Sequence, residues 1–321
     1  MIRIFAHDAS GCSEAGAIDP AWLQPGSPVI FWVDLADPTP EEGRLLTDVF
    51  HFHELSVEDA LSAIHHPKIE SYDSYLYLIL HGIDFRASAE GFATHDVDFF
   101  LGSNYLVTVH DGHSRSIAEQ YNVCMRNAHA IGEGPAALLH RIVDAMVDHY
   151  RPEVERIEEC VDNLETKVFE HPDQNPLREL IQVKKDLASL RRVTLPQRDA
   201  VSRLARREFS HIPESVSWRM RDVYDHLVRL SEESVVLHDR VTSLVDAFLS
   251  AQSNRLNQVM KLMTVIATIF MPLTVLTSMF GMNVPLPHMP GDPKWEFWWI
   301  TGLMAVIVAF MLYMFRRNRW L

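Results

Sequence analysis

Two long apolar stretches dominate the C-terminal part of the chain. Residues 262–280 and 297–315 each lack any charged side chain, and each is close to the roughly 20 residues that a helix needs to cross a bilayer. One such stretch is also typical of a buried core helix. Two in tandem, joined by a short link, predict two transmembrane helices instead.

The segment before the first apolar stretch has a helical pattern. From Pro135 onward apolar residues recur at spacings of three and four, with breaks at 171–172 and 212–213. No Gly or Pro occurs between Pro213 and Pro272. A single helix over 214–280 would be roughly 100 Å long. The apolar stripe that predicts its packed face comprises Leu227, Leu230, Ser234, Leu237, Val241, Leu244 and Phe248.

The N-terminal part has a different pattern, with short β-rich runs at 29–33, 75–80, 97–101 and 105–109. Helix starts are predicted at Thr39-Pro40 and at Ser56. The fold class is therefore an α+β membrane protein whose N-terminal α/β domain is followed by a helical stalk. The predicted divisions are 1–132 (α/β domain), 133–212 (helical region), 213–261 (stalk), 262–280 (first span), 281–296 (link), 297–315 (second span) and 316–321 (basic tail).

Basic residues predict the orientation in the membrane. Arg255 and Lys261 precede the first span and Arg316 and Arg317 follow the second, whereas the link carries only Lys294, offset by two acidic residues. The excess of Lys and Arg on cytoplasmic loops places both termini in the cytoplasm and the link outside. We expect a multi-pass protein of the inner (plasma) membrane. Its interfaces are marked by Trp295, Trp298, Trp299, Tyr313 and Trp320.

The charge balance excludes one class of partner. The formal net charge is −14, from 43 acidic and 29 basic residues. Nucleic-acid binding needs clustered Lys and Arg, so no nucleic-acid partner is expected. Excess carboxylate suits cations, although a solvated acidic surface has the same composition. The cysteines at 12, 124 and 160 have no metal-ligand spacing and are expected to be free thiols in a reducing cytosol.

One face of the first span is unusual for a lipid-facing helix. Its residues are small, polar or flexible: Asn257, Met260, Thr264, Ala267, Met271, Thr274 and Ser278. Close packing between helices favours such residues, and so does the lining of a pore. Two spans cannot enclose a water path, so a pore would need a symmetric homo-oligomer.

The triplet Gly281-Met282-Asn283 directly follows this span. Gly permits backbone turns that other residues resist, and Asn offers an uncharged carbonyl and amide. Since Mg²⁺ dehydrates reluctantly, a ring of amide oxygens could hold the hydrated ion by its waters. A loop turn explains the triplet equally well.

The surrounding sequence resembles the CorA family of magnesium channels over nearly the whole chain. The densest matches are the segments 253–261, 264–274 and 280–283 and the tail 316–321; others are Glu58-Asp59, 67–70 and 222–226. The sequence departs from the family pattern at Phe280 (usually Tyr), His66 (usually Arg), Met263 (usually Leu) and Gly291-Asp292 (usually Glu-Leu).

This resemblance implies a homopentameric funnel that conducts Mg²⁺, with Co²⁺ and Ni²⁺ as further candidates. The implied selectivity filter is Gly281, Met282 and Asn283. The pore lining and gate would be Asn257, Met260, Met263, Thr264, Met271 and Thr274. A regulatory Mg²⁺ between subunits would be held by Asp59 and Asp246, with Glu58 as an auxiliary ligand.

Three alternatives remain open from the sequence. The first is a zinc transporter of the related ZntB type, with transport coupled to protons; the 17 His of the chain are potential zinc ligands. The second is a membrane-anchored enzyme, although the sequence contains no Gly-rich phosphate loop, His-Glu-x-x-His or Gly-x-Ser-x-Gly motif. The third is a scaffold that uses the stalk only to oligomerise.

Overall fold

The structure is a computed structural model of the full chain. It describes residues 1–9, 11–24, 26–62, 65–84, 92–127, 129–170, 175–282, 295–318 and 320. The chain forms two compact units, Met1–Val245 and Asp246–Leu321. The finer divisions made from the sequence stay predictions.

The first unit is built on a mixed sheet of seven strands in the order β2-β1-β3-β7-β6-β5-β4. β3 and β7 are parallel, and the other neighbouring strands are antiparallel. The strands are β1 (Ile2–Asp8), β2 (Gly11–Ala15), β3 (Ile30–Ala36), β4 (Lys68–Ser71), β5 (Leu76–Ile83), β6 (Thr94–Leu101) and β7 (Tyr105–His110). The four β-rich runs predicted from the sequence are confirmed as β3, β5, β6 and β7.

Both faces of the sheet are covered, which explains why its central strands are apolar without alternation. One face packs under α1 (Pro40–Asp48) and α2 (Glu54–Leu61), where Leu46 and Val57 join Val33, Tyr77 and Phe100 in one core. The other face packs under α3 (Arg115–Arg126) and α4 (Pro135–Asp148). A buried polar network, in which the Trp32 indole donates to Thr108 and Thr108 donates to Asp34, lies on this second face.

The two predicted helix starts have different outcomes. Thr39 caps α1 as predicted: its hydroxyl accepts from the Glu42 amide and the Glu42 carboxylate accepts from the Thr39 amide. The start predicted at Ser56 is wrong, because α2 begins at Glu54 with His53 as its N-cap. The imidazole Nδ1 of His53 accepts from the Leu55 amide, while the Ser56 hydroxyl donates to the His53 carbonyl inside the helix.

Four long helices follow α4 in the described part of the chain. They are α5 (Tyr150–Glu170), α6 (Leu177–Ala205), α7 (Glu214–Phe280) and α8 (Glu296–Arg317). The predicted 214–280 helix is confirmed with those bounds, and the predicted apolar stripe from Leu227 to Phe248 is buried throughout. The absence of Gly and Pro between Pro213 and Pro272 explains most of this length, and the helix continues past Pro272 to Phe280.

Candidate functional site

The residues predicted to line a pore lie along the C-terminal part of α7. Asn257, Met260, Met263, Thr264, Met271 and Thr274 are all exposed in the single chain. Asn257, Met260 and Thr264 line one cavity of about 530 Å³, together with Asn254, Gln258, Lys261 and Trp320. The residues of the face found in the sequence are therefore all accessible on one helix.

The threonine hydroxyls on this helix are anchored to its backbone. Thr264 donates to the Met260 carbonyl at 2.8 Å, and Thr274 donates to the Phe270 carbonyl at 2.8 Å. A hydroxyl that donates to the helix still has acceptor lone pairs directed outward. This face thus offers oxygen acceptors without a formal charge, which suits contact with the water shell of a cation.

The predicted filter begins where α7 ends. The Gly281 amide donates to the Thr277 carbonyl at 2.9 Å. A Cβ at position 281 would lie 3.1 Å from that carbonyl oxygen, so the close backbone approach favours glycine. Met282 is exposed, and Asn283 lies outside the described residues.

The apolar surfaces of α7 and α8 are open. Among the described residues, two helices are long and apolar enough to cross a membrane, and only 6% and 0% of their most apolar windows is buried. Phe270, Met271, Phe297 and Phe310 are each more than half exposed. A soluble core helix of this composition would be buried, so the exposure agrees with a lipid-facing or oligomeric environment.

Asp59, one predicted regulatory ligand, is already paired within its own chain. Its carboxylate lies 2.6 Å from the Lys68 ammonium and 3.5 Å from the His65 imidazole, and Lys68 also contacts Glu70 at 2.8 Å. Burial lowers the pKa of Lys68, but its hydrogen bonds to Asp59 and Glu70 outweigh that effect and the pKa is raised. A cation at Asp59 would therefore share this carboxylate with a charged lysine.

The other two predicted regulatory ligands are exposed. Glu58 lies on α2 beside Asp59 in the first unit, and Asp246 lies on α7 in the second unit. Their pairing between copies of the chain remains a prediction.

Three residues with metal-ligating side chains lie together on α4 and α7. The sequence pattern did not predict them as a site. Asp144, Asp148 and His226 each place a ligand atom within 4.8 Å of the others, so together they could hold a metal ion. The Asp148 carboxylate is 3.8 Å from the His226 Nδ1. Burial raises the pKa of Asp144, and the neighbouring Asp148 adds to that shift while His140 opposes it. The i, i+4 spacing of the two aspartates was visible in the sequence, but their proximity to His226 was not.

The comparison with known families decides the classification. The profile described as "CorA-like Mg2+ transporter protein" matches residues 28–317. The chain belongs to the CorA family.

Relatives of the CorA-family chain cover most of its length. It is 32% identical over 294 residues to the putative metal ion transporter YfjQ of Bacillus subtilis, covering 90% of this chain and 89% of the relative. It is 31% identical to the cobalt/magnesium transport protein CorA of Thermotoga maritima, covering 85% and 78%. It is also 25% identical to the zinc transport protein ZntB of Yersinia pseudotuberculosis, covering 90% and 88%.

Solved structures confirm the fold. The complete CorA magnesium transporter from Methanocaldococcus jannaschii matches with a TM-score of 0.83 at 21% identity, covering 99% of this chain and 98% of that one. Full-length CmaX matches with a TM-score of 0.78 at 21% identity, covering 99% and 97%. The predicted arrangement of an N-terminal α/β domain, a long helix and a C-terminal apolar helix is thus confirmed.

The CorA-family assignment supports a divalent cation transporter of the membrane. The relatives compared above are metal ion transporters rather than enzymes, which agrees with the expectation that this chain is not an enzyme. Relatives named for magnesium transport and relatives named for zinc transport both match the chain. Family membership is therefore compatible with either ion.

Proposed function

We propose that this CorA-family chain carries Mg²⁺ into the cell as a homopentameric channel whose axis is lined by α7. The observation that carries the proposal is the exposed, uncharged face of Asn257, Met260, Thr264, Met271 and Thr274, which leads to Gly281 at the helix end. Two spans per chain cannot enclose water, so the pore requires several copies around an axis. An inside-negative membrane potential would draw a divalent ion into the cytoplasm with about 4.6 kcal/mol for each 100 mV.

Selection is assigned to the residues that follow α7, and gating is assigned to α7 itself. The triplet Gly281-Met282-Asn283 would form the outer filter, where amide oxygens bind the hydrated ion through its waters. Below it, Met260, Met263 and Met271 would form an apolar constriction that closes by excluding water. The flexibility of methionine side chains allows such a ring to repack between a closed and an open diameter.

Regulation would come from the predicted ligands Asp59, Asp246 and Glu58. Cytosolic Mg²⁺ bound between neighbouring copies would neutralise these carboxylates and hold the channel closed, and its loss would let them repel. The exposure of Glu58 and Asp246 supports this role, because a partner copy could reach them. The Lys68–Asp59 pair supports a weak site, in which a cation competes with an ammonium already in place.

Replacing Asp246 tests this regulation. The Asp246→Ala variant is expected to need roughly tenfold more internal Mg²⁺ for half-maximal closure, since each lost ligand interaction of about 1.4 kcal/mol changes affinity tenfold. The measurement is ion flux from proteoliposomes at stepped internal Mg²⁺. Asp239→Ala, which removes an exposed aspartate one heptad earlier on α7, is the matched control. An unchanged closure curve for Asp246→Ala would contradict the gating role.

Zinc transport is the second candidate, and a specific observation favours it. Asp144, Asp148 and His226 combine carboxylate and imidazole ligands, a set that Zn²⁺ prefers and Mg²⁺ does not. The ZntB-named relatives add a family precedent for that ion.

A flux comparison separates the two ions. Proteoliposomes holding the full chain are loaded with Mg²⁺- or Zn²⁺-sensitive dyes and energised with either a potassium diffusion potential or a pH gradient. We expect Mg²⁺ entry to follow the membrane potential and to be indifferent to the pH gradient. Zn²⁺ entry driven by the pH gradient, without Mg²⁺ entry, would instead establish a proton-coupled zinc transporter.

A further inference from the structure

Two of the three cysteines lie close together although they are far apart in the chain. Cys12 lies on β2, the outermost strand at one edge of the sheet, and Cys124 lies on α3. All three cysteines are free, and Cys124 is 4% exposed while Cys12 is half-buried. This arrangement is independent of the membrane-spanning part and of the proposed transport.

The strand register shows that Cys12 faces α3. Cys12 pairs directly with His7 on β1, and directly paired residues share a face of the sheet. Phe5, two residues before His7, points to the same face, where its ring meets the Tyr121 ring of α3 edge-on at a centroid distance of 5.3 Å. The side chain of Cys12 therefore points at the helix that covers this edge of the sheet, and α3 packs against β2.

The helix presents Cys124 on the matching face. Cys124 follows Tyr121 by three residues, so the two side chains project from the same side of α3. The guanidinium of Arg3 lies 4.3 Å from the centre of the Tyr121 ring, which fixes this part of α3 over β1. The strand register and the helix spacing therefore place Cys12 and Cys124 on the facing surfaces of β2 and α3.

The pKa values of the two thiols are shifted in opposite directions. The hydrogen bond from Cys124 lowers the pKa of Cys12, although burial opposes this, and the same bond together with burial raises the pKa of Cys124. Cys160 on α5 is also half-buried, but burial and Glu179 raise its pKa. Cys12 is thus the more accessible and more acidic thiol of the pair, and Cys124 is the buried one. Cys160 has an exposure similar to that of Cys12 and serves as its comparison.

We propose that Cys12 and Cys124 form a site of reversible disulfide modification, which reacts with small-molecule disulfides such as oxidised glutathione and ties the edge strand β2 to α3. The Cys12 thiolate attacks one sulfur of the small disulfide, the sulfur–sulfur bond of that molecule breaks, and one thiolate leaves. Cys124 then gives up its proton to the departing thiolate, and its sulfur attacks the Cys12 sulfur and expels the second small-molecule thiolate. That thiolate takes up a proton from the solvent, which balances the proton that Cys12 released when it ionised. Two protein thiols are oxidised to one disulfide, and one small disulfide is reduced to two thiols.

The modification should stabilise the first unit. A disulfide that closes a long loop restricts the unfolded chain more than the folded one, and this one joins positions near the start and the middle of that unit. Intracellular disulfides that do occur are usually transient and redox-sensing, which fits a bond made and broken by exchange.

Mapping the disulfide in the full chain tests the proposal. The purified protein in detergent is equilibrated with mixtures of reduced and oxidised glutathione, quenched with acid, alkylated and digested for peptide mass spectrometry. We expect a linked Cys12–Cys124 peptide that grows with the oxidised fraction, disappears on adding reductant and accompanies a rise of several degrees in the melting midpoint. Cys160→Ser should keep the linked peptide, and Cys124→Ser should leave glutathione attached to Cys12.

Two results would overturn the proposal. The first is the absence of the linked peptide from the wild-type chain at every glutathione ratio, a measurement that depends on no substitution. The second is equal glutathione attachment at Cys12 and Cys160, with Cys124 uninvolved, because the thiol contact would then confer no reactivity.

Discussion

Replacing Asn283 by Ala is expected to reduce Mg²⁺ flux by more than tenfold while leaving the protein folded and in the membrane. The family resemblance assigns this residue to the filter, two residues after the glycine that follows α7. The amide oxygen is the only part of the side chain that can accept a hydrogen bond from the water shell of the ion, and Ala removes it. Each tenfold loss of flux corresponds to about 1.4 kcal/mol in the barrier, an amount that one lost hydrogen bond to a charged group can supply.

The same substitution at Asn318 is the matched control. Asn318 follows the last turn of α8, on the opposite side of the membrane in the proposed topology. Asn318→Ala should retain wild-type flux at equal protein content. Flux is measured in proteoliposomes under a fixed diffusion potential, with the oligomeric state checked by size exclusion. An Asn283→Ala variant that conducts normally would remove Asn283 from the proposed filter, whereas a wild-type chain that conducts no ion would favour the scaffold or enzyme alternatives.

The long helix α7 is the element whose bounds the sequence predicts most directly. Its bounds follow from two local signals, Pro213 just before its start and Gly281 just after its end, and neither depends on the rest of the fold. The spacing of small and polar residues also predicts the exposed face beyond Phe248. The spacing does not predict the role of this face, because helix packing and pore lining favour the same residues. The two roles differ only in whether the face contacts other copies of the chain or water.

The hydrophobic pattern does not predict short polar strands. β2 contains Cys12, Ser13 and Glu14 and has no apolar alternation, so nothing local distinguishes it from a loop. It exists because β1 offers it a hydrogen-bonding edge. The prediction of the start of α2 was wrong for a related reason. Histidine is a rare N-cap, and serine is a common one, so the pattern favoured Ser56 over His53.

The candidate cation sites required tertiary information. The proximity of Asp144 and Asp148 to His226 depends on how α4 packs beside α7, and the link between Asp59 and Lys68 depends on how α2 meets β4. The family resemblance selected Asp59 without showing that a lysine already neutralises it. A resemblance identifies which residues matter to a family, whereas the electrostatic environment of each is a property of this chain.

Replacing Asp98 by Asn is expected to stabilise the protein at pH 8 and to leave its stability at pH 4 nearly unchanged. Asp98 is 4% exposed on β6, and the Tyr77 hydroxyl donates to its Oδ1 at 2.5 Å. Burial raises the pKa of this carboxyl to about 7, although the hydrogen bond from Tyr77 opposes the shift. The folded protein therefore strongly prefers the neutral acid at this position.

The sign of the pH dependence follows from proton counting. In the unfolded chain an aspartate has a pKa of about 3.9, so between pH ~4 and ~7 the folded state holds a proton that the unfolded state has released. Stability conferred by this group is complete below pH ~4 and is lost as the pH rises through ~7. A shift of about three units corresponds to about 4 kcal/mol, an upper limit for what the Asp98→Asn substitution would restore at pH 8.

The measurement is the melting midpoint of the full chain in detergent, followed by tryptophan fluorescence from pH 4 to 8. We expect the Asp98→Asn midpoint to exceed the wild-type value by several degrees at pH 8, because the asparagine carbonyl still accepts from Tyr77 and carries no charge. Tyr77→Phe should move the midpoint the other way at pH 8, since it removes the donor that stabilises the carboxylate. Asp73→Asn, at an exposed position before β5, should have little effect. A gain for Asp98→Asn that is equally large at pH 4 and pH 8 would show that packing, rather than the buried charge, decides stability at this position.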